Sequence, residues 1–287
     1  MIDLHSHTNA SDGTDAPARL VELALERKIE ALAITDHDTF VGFDEASPVA
    51  RERGLDLVCG VELSCKFEEK SPHLLAYFPQ GSADAAFRQW VNGILDSRRR
   101  RNQALIEQLQ KLGVKIELEE VEAVGRSITG RPHFARVLID KGYATDRQDA
   151  FDRYIGETGS AFVERQGPTF EDALANIRSS GGVSSLAHPI RLGLSSNPDK
   201  EAALFDRLRS LGLDALEVWH TDHKPALVKR YFAYAERHGM LMTGGSDYHG
   251  DNKPNARLGG VMAPVELLEK LRAFNSLTPP QPARLQN

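Results

Sequence analysis

The chain has 287 residues, of which 41% are hydrophobic and 26% charged, and a formal net charge of −6. Its length allows a full core in one large domain, and its composition is that of a soluble globular protein. The acidic balance excludes a global attraction to nucleic acid or anionic membrane, so any anion site must be local. No apolar run approaches ~20 residues, and Asp3 and His5 stand where a signal peptide would be apolar. Two cysteines, Cys59 and Cys65, are too few for a disulfide framework. They fit a reducing compartment, so a cytoplasmic location is expected.

In chain order, Ile2 and Leu4 alternate with Asp3 as a short strand that breaks into His5, Ser6 and His7. Residues two apart on an extended segment point to the same side, so both imidazoles converge at the strand end. Asp12 follows in a polar turn with Asn9, Ser11 and Gly13. Imidazole plus carboxylate suits Zn, Mn or Fe ions. Residues 17–28 carry Leu20, Leu23 and Ala24 at helical spacing, with Pro17 in the first turn. Residues 30–35 are a buried strand ending in Asp36-His37-Asp38. Residues 41–54 read as a second helix, with a break expected at Pro48. A third strand, 55–61, ends in Glu62. Further on, 182–186 runs into Ala187-His188-Pro189, and 214–218 into Trp219-His220 with Asp222 and His223 beyond. The strand at 240–245 runs into Ser246-Asp247-Tyr248-His249. Helical stretches at 170–180, 200–211 and 225–238 separate these last strands.

Alternating strand and helix implies an α/β fold, a parallel sheet or barrel with crossover helices. Sites in such folds lie at the C-terminal strand ends. Here strand after strand delivers a His, Asp or Glu at that end. Residues 82–167 break the rhythm. Residues 82–112 read as one or two long helices holding Arg98-Arg99-Arg100-Arg101, followed by shorter helices around 132–141 and 149–155. The expected division is a discontinuous barrel (1–81 and 168–275), a helical insertion capping one end (82–167), and a flexible tail (276–287). The arginine run covers more than one helix face, so most of it is expected in solvent.

The candidate ligands are His5, His7, Asp12, His37, Glu62, His73, His188, Asp247 and His249. One divalent ion takes about four to six ligands, so this set suggests two or three ions. Two ions about 3.5–4 Å apart can share a bridging hydroxide and clamp both oxygens of a phosphoryl displacement.

The motifs His5-Ser6-His7, Thr35-Asp36-His37, Gly60-Val61-Glu62, Ala187-His188-Pro189 and Ser246-Asp247-Tyr248-His249 together resemble the polymerase and histidinol phosphatase (PHP) superfamily. The resemblance covers residues 1–77 and 182–261, with a family-like insertion between. Gly130-Arg131-Pro132-His133-Phe134-Ala135-Arg136 is similar to the small bacterial PHP phosphoesterases. This resemblance implies a distorted (β/α)7 barrel and a division of the ligands. One ion would take His5, His7, Glu62 and Asp247. A second would share Glu62 and add His73 and His188, and a third would take Asp12, His37 and His249. His73 opens the run His73-Leu-Leu-Ala-Tyr-Phe78, where the strand-end rule does not place it, so it rests on the resemblance alone.

A dianionic phosphate calls for arginine forks, lysine, or backbone amides at a helix start. Ser127, Thr129, Gly130 and Arg131, ahead of a Pro132-initiated helix, make such a site, with Arg131 the first choice and His133 the second. Arg165 is a candidate for a second phosphate. His220, His223 and Lys224 follow a strand on the active face and are candidates for phosphate binding. Asp36 and Asp38 read as groups that orient His37, and His238 as a helix cap.

The expected function is metal-dependent hydrolysis of a nucleotide phosphomonoester. Family resemblance points to the 3′-phosphate of nucleoside 3′,5′-bisphosphates, attacked by a metal-bridged hydroxide, with Asp247 or His223 supplying the leaving proton. The expected cofactors are two or three divalent ions, manganese first, with iron or zinc as alternatives. Expected partners are a small phosphorylated nucleotide or RNA 5′ ends, without a membrane or a protein partner. Nearby alternatives are a 5′ to 3′ exoribonuclease on short RNA and a histidinol-phosphate-type phosphatase. Of other classes, an amidohydrolase and a non-catalytic metal-binding module remain.

Overall fold

Among the described residues, short apolar runs become seven strands that lie side by side in chain order in one sheet. They are β1 (Ile2–Asp3), β2 (Ala31–Ile34), β3 (Asp56–Ser64), β4 (His73–Phe78), β5 (Val183–Leu186), β6 (Ala215–His220) and β7 (Leu241–Gly245). The computed structural model describes residues 1–125, 129–164, 166–261 and 263–274. The expected tail lies outside them. β7 returns to β1: the Leu4 N–H donates to Gly244 O at 3.1 Å, and the Asp247 N–H to His5 O at 2.8 Å. The sheet thereby curls into a nearly closed barrel. This seam needs a residue without a side chain, because a Cβ on Gly245 would stand 2.3 Å from the His5 nitrogen.

One strand departs from the parallel pattern. β4 runs antiparallel to both β3 and β5. The link from Ser64 to His73 is too short for the crossover that a parallel neighbour needs, so the chain turns back as a hairpin. The start of β4 therefore lies at the barrel end where the other strands finish.

The helices are α1 (Pro17–Glu26), α2 (Val41–Arg53), α3 (Ala85–Lys111), α4 (Leu118–Gly125), α5 (Arg131–Asp140), α6 (Arg147–Ala150), α7 (Phe170–Ser179), α8 (Pro198–Ser210), α9 (Pro225–Arg237) and α10 (Glu266–Ala273). α7 illustrates their logic. The Thr169 hydroxyl accepts from the Asp172 N–H at 3.0 Å, and Phe170, Ala173, Leu174 and Ile177 bury one face. α2 corrects an expectation, since it runs unbroken through Pro48. Pro48 lies on the exposed face, where water can serve the Asp44 carbonyl that loses its donor, while buried Ala46 and Ala50 hold the helix down.

Between barrel and outer helices lies an apolar cluster including Phe78, Phe87, Leu174, Phe205, Val218 and Tyr231. At the end where the parallel strands start, Leu267, Leu268 and Leu271 of α10 pack with Ile2, Ala31, Tyr77 and Val183. That end is plugged, and the other is left for a site. Helices α3 to α6 and a π-turn at Phe151–Ile155 add no strand to the barrel. They gather their own core around Leu105, Leu109, Phe134, Leu138 and Ile155. The arginine run on α3 is only half solvated. Arg99 and Arg100 are exposed, but Arg98 is half-buried and Arg101 buried. Among the described residues, no helix is long and apolar enough to cross a membrane.

Candidate metal centre and anion clefts

The open barrel end collects what the strand ends deliver. Glu62, near the end of β3, stands at the centre. Its Oε1 lies 2.9 Å from both His73 Nδ1 and His188 Nε2. Its Oε2 lies 3.2 Å from His5 Nε2, 3.1 Å from His7 Nε2 and 3.3 Å from His37 Nδ1. Asp247 Oδ1 lies 3.4 Å from His5 Nε2 and 3.3 Å from His7 Nε2. Asp12 reaches His249 Nε2 at 3.3 Å and both His7 and His37 at 3.7 Å. The nine side chains singled out in the sequence thus form one contiguous cluster. Ligand atoms of His5, His7, Glu62 and Asp247 lie within 4.8 Å of one another, as do those of His7, Asp12, His37 and His249. The reversal of β4 accounts for His73, which the strand-end rule could not place.

The backbone is strained where it turns into this cluster. Asp38, His188 and Asp247 have φ of 52°, 27° and 54°, although none is glycine. Each follows a strand and aims a side chain inward, at a cost of order 1–3 kcal/mol per residue.

Electrostatics fit the cluster to cations. Among the described residues, His5 Nε2, both His7 nitrogens, His37 Nδ1, Glu62 Oε2 and Asp247 Oδ1 are buried without a hydrogen-bond partner. Each such atom costs about 1–3 kcal/mol if left so. Burial opposes a charge on Glu62, but His37, His5 and His73 outweigh it and hold the carboxyl well below the usual range. Burial is likewise outweighed at Asp247 by His5 and a hydrogen bond from His220. Burial opposes a proton on His7, yet the Asp247 and Glu62 carboxylates beside it push it up to about 10. Burial pushes His37 down to about 4 and His188 to about 3. Ionised carboxylates interleaved with imidazoles are the donor set of divalent Mn, Fe or Zn.

Asp36 and Asp38, expected to orient His37, hold the loops beside it. Asp36 accepts from the Thr8 N–H at 2.8 Å, the Thr8 hydroxyl at 2.7 Å and the Ser11 hydroxyl at 2.5 Å, pinning the turn between His7 and Asp12. Asp38 accepts from the Ser64 N–H at 3.1 Å and pairs with Arg98 of α3.

Two cation-lined cavities adjoin the cluster. A cleft of about 670 Å³ is lined by Asp12, His133, Arg136, Arg147, Arg191, Asp247, His249 and Lys253, among others. In it, Asp247 Oδ2 accepts from Arg191 and from Lys253, both at 2.7 Å. A second cavity, about 380 Å³, touches His73 and is lined by Lys66, Arg98, Arg101, Arg131, Arg147 and Phe151, among others. The Arg131 guanidinium lies 5.8 Å from the Phe151 ring centroid. His133 Nδ1 accepts from the Gly130 N–H at 3.0 Å, which caps α5 and leaves Nε2 as the donor. Sequence reasoning missed Arg191, Lys253 and Arg147. A signal existed for two of them, since Arg191 follows His188 by three positions and Lys253 follows His249 by four.

The remaining expected residues divide. Ser127 and Arg165 lie outside the described residues. Thr129 is buried, with its carbonyl accepting from Asn102 at 2.9 Å. His220 is brought in, its Nε2 3.2 Å from Asp247 Oδ2. His223 is turned away. Its Nδ1–H donates to Val218 O at 2.9 Å, and it lines a third pocket, of about 350 Å³, with Trp219, His220, Asn255 and Arg257, among others. Burial lowers His223 to about 4. With His223 neutral and Asp247 ionised, neither expected acid holds a proton to give. Lys224 is exposed at the start of α9 and lines none of these cavities. His238 caps the C-terminus of α9, as expected.

Barrel, cluster and clefts together define a metal-dependent phosphoesterase. Residues 3–166 match the PHP domain model, and the chain belongs to that family. It is 34% identical over 256 residues to the 5′-3′ exoribonuclease Rnm of Escherichia coli K12, covering 87% of this chain and 85% of that protein. It is 28% identical over 261 residues to the 3′,5′-nucleoside bisphosphate phosphatase of Chromobacterium violaceum, covering 86% and 87%. A solved structure from Bifidobacterium adolescentis, assigned as a metal-dependent phosphoesterase, superposes with a TM-score of 0.77 at 32% identity over 94% of this chain and 95% of that one. The fold is therefore the distorted barrel of PHP enzymes, and divalent metal ions are the cofactor it implies.

Proposed function

We propose that the protein removes the 3′-phosphate from nucleoside 3′,5′-bisphosphates. Two or three divalent ions, manganese first, would be held by His5, His7, Asp12, His37, Glu62, His73, His188, Asp247 and His249. The observation that carries this reading is that two cation-lined cavities meet one carboxylate–imidazole cluster, and Arg147 lines both. A nucleoside bisphosphate offers two dianions that such a pair of seats can hold. The Chromobacterium violaceum relative supports the same substrate class.

Bound ions would supply Lewis acidity toward the phosphoryl oxygens and lower the pKa of a nearby water. The chain's own groups do the rest. Arg191 and Lys253, now resting on Asp247 Oδ2, are poised to hold the oxygens of the scissile phosphoryl group. Arg131, with Arg98, Arg101 and Arg147, holds the second phosphate. His133 offers its Nε2–H into the first cleft. Lys253, the ammonium beside Asp247, is a better candidate to carry the leaving proton than His223. In this reading residues 82–167 are a cap that supplies most of the anion-binding groups, over a barrel formed by 1–81 and 168–275.

A second reading, 5′ to 3′ trimming of short RNA, is favoured by one feature. Phe151 neighbours both Arg131 and Arg147, with guanidinium-to-ring distances of 5.8 and 5.7 Å, and basic residues with an aromatic platform suit a single strand. The Escherichia coli relative supports it. Phosphate or nucleotide release, with Mn²⁺ added, should be compared for adenosine 3′,5′-bisphosphate, AMP, histidinol phosphate and a 5′-phosphorylated oligoribonucleotide. The bisphosphate is expected to lead, and Arg131→Ala to raise its KM tenfold or more with metal content unchanged. A lead for the oligonucleotide would move the assignment to RNA trimming, and metal loss in Arg131→Ala would remove Arg131 from the substrate site.

A further inference from the structure

Glu217 is a carboxylate in the barrel interior, fully buried and distinct from the nine expected ligands. It alternates with Leu216 and Val218, and an irregularity in β6 brings His220 to the same side. In a regular strand Glu217 and His220, three positions apart, would face opposite sides of the sheet. The pairing of β6 with β7 shifts register between Glu217 and Trp219, and a bulge of this kind re-aims side chains. Both Glu217 and His220 consequently reach His5, with ligand atoms of all three within 4.8 Å of one another. Leu216 and Val218 pack into the core beneath the helices.

We infer that Glu217 is a positioning residue that sets two imidazoles of the metal centre at once. Its Oε1 accepts from His5 Nδ1–H at 2.9 Å, and its Oε2 accepts from the His188 N–H at 2.6 Å. The first bond fixes the tautomer of His5 and turns the Nε2 lone pair toward Glu62 Oε2 and Asp247 Oδ1. The second holds His188 in its left-handed backbone, with φ of 27°, which aims His188 Nε2 at Glu62 Oε1. One carboxylate thus braces groups on both sides of Glu62. His5, Glu217 and His220 do not form a further cation site of their own. His220 Nδ1 accepts from the Asp222 N–H at 3.0 Å and its Nε2 meets Asp247. Among the described residues, none of the buried atoms without a hydrogen-bond partner belongs to Glu217 or His220.

This role rests on the metal-centre reading, and the test separates the two. The full chain is stripped with a chelator and titrated with Mn²⁺ under equilibrium dialysis, alongside Glu217→Gln and Glu217→Asp. A glutamine cannot accept from both N–H groups, because its amide nitrogen faces one of them. Glu217→Gln is expected to bind the ions that His5 and His188 serve roughly ten- to a hundredfold more weakly. The ion served by Asp12, His37 and His249 stays, and the melting temperature of the ion-free form moves little. Glu217→Asp recovers part of the loss. If Glu217→Gln keeps wild-type stoichiometry and affinity, the inference is overturned while the metal centre stands. If the unchanged protein binds no Mn²⁺, the metal centre falls and takes the inference with it. Should the variants not fold, long-range ¹H–¹⁵N spectra of the Zn²⁺-loaded wild type decide. A proton on His5 Nδ1 supports the role, and one on Nε2 overturns it.

Discussion

His73 Nδ1 lies 2.9 Å from Glu62 Oε1 although the two residues are eleven positions apart on neighbouring strands. Only an antiparallel pair brings the start of β4 beside the end of β3. Glu62 thereby meets five histidines: His5, His7, His37, His73 and His188. Glu62→Gln should therefore remove most bound metal and lower turnover roughly a thousandfold or more. His73→Ala should cost one ion at most. Metal per chain, measured by mass spectrometry beside phosphate release, checks this, and full metal content in Glu62→Gln would defeat the arrangement.

Arg191 and Lys253 both donate to Asp247 Oδ2 at 2.7 Å while Oδ1 faces the histidines. If they hold the scissile phosphoryl group, Arg191→Ala and Lys253→Met each lose a charge-assisted hydrogen bond of about 1.5–3 kcal/mol. That corresponds to roughly a ten- to hundredfold drop in kcat/KM, with bound metal unchanged. Loss of metal in step with activity would recast the pair as a brace for Asp247.

Stability should carry a signature of His223. Burial lowers this imidazole from its ordinary 6.5 to about 4, so the folded chain resists a proton that the unfolded chain accepts. The sign follows: its neutral form costs nothing above about pH 6.5, and stability is lost as pH falls from there toward 4. The loss is on the order of 3 kcal/mol once both pKa values are passed. His223→Asn, whose amide can still donate to Val218 O, should flatten this acid slope relative to wild type in melting curves between pH 4.5 and 7. An unchanged slope would mean that His223 titrates normally in the fold.

Much of the cluster was legible because its candidate ligands obey a positional rule. Apolar runs ending in His5, His37, Glu62, His188 and Asp247 mark strands that share one orientation, and such strands must finish at one end of a barrel. His73 escaped the rule because strand direction depends on the length of a connection, which the residues of β4 do not encode. Pro48 misled because a local preference for a break is weaker than the burial of Ala46 and Ala50 on either side of it. Glu217 was invisible for a similar reason. Alternation turns it into the barrel once Leu216 and Val218 pack outward under the helices, but a glutamate between two apolar residues reads as a solvent-facing strand position. The arginine run divides by helix phase, and which half faces the site depends on how α3 lies over the barrel.

The seam between β7 and β1 also has a consequence in time. The Ser246 N–H donates to Asp3 Oδ1 across 243 positions of sequence, and His5 and His7 meet Asp247 beside that bond. A ribosome adding 5–20 residues per second needs roughly ten to fifty seconds to make that interval. Throughout it, the nascent chain presents histidines whose closing carboxylate has not yet been synthesised. Cation capture by the complete set would thus be a late, post-assembly event, and fragments that end before β7 would emerge with the cluster open.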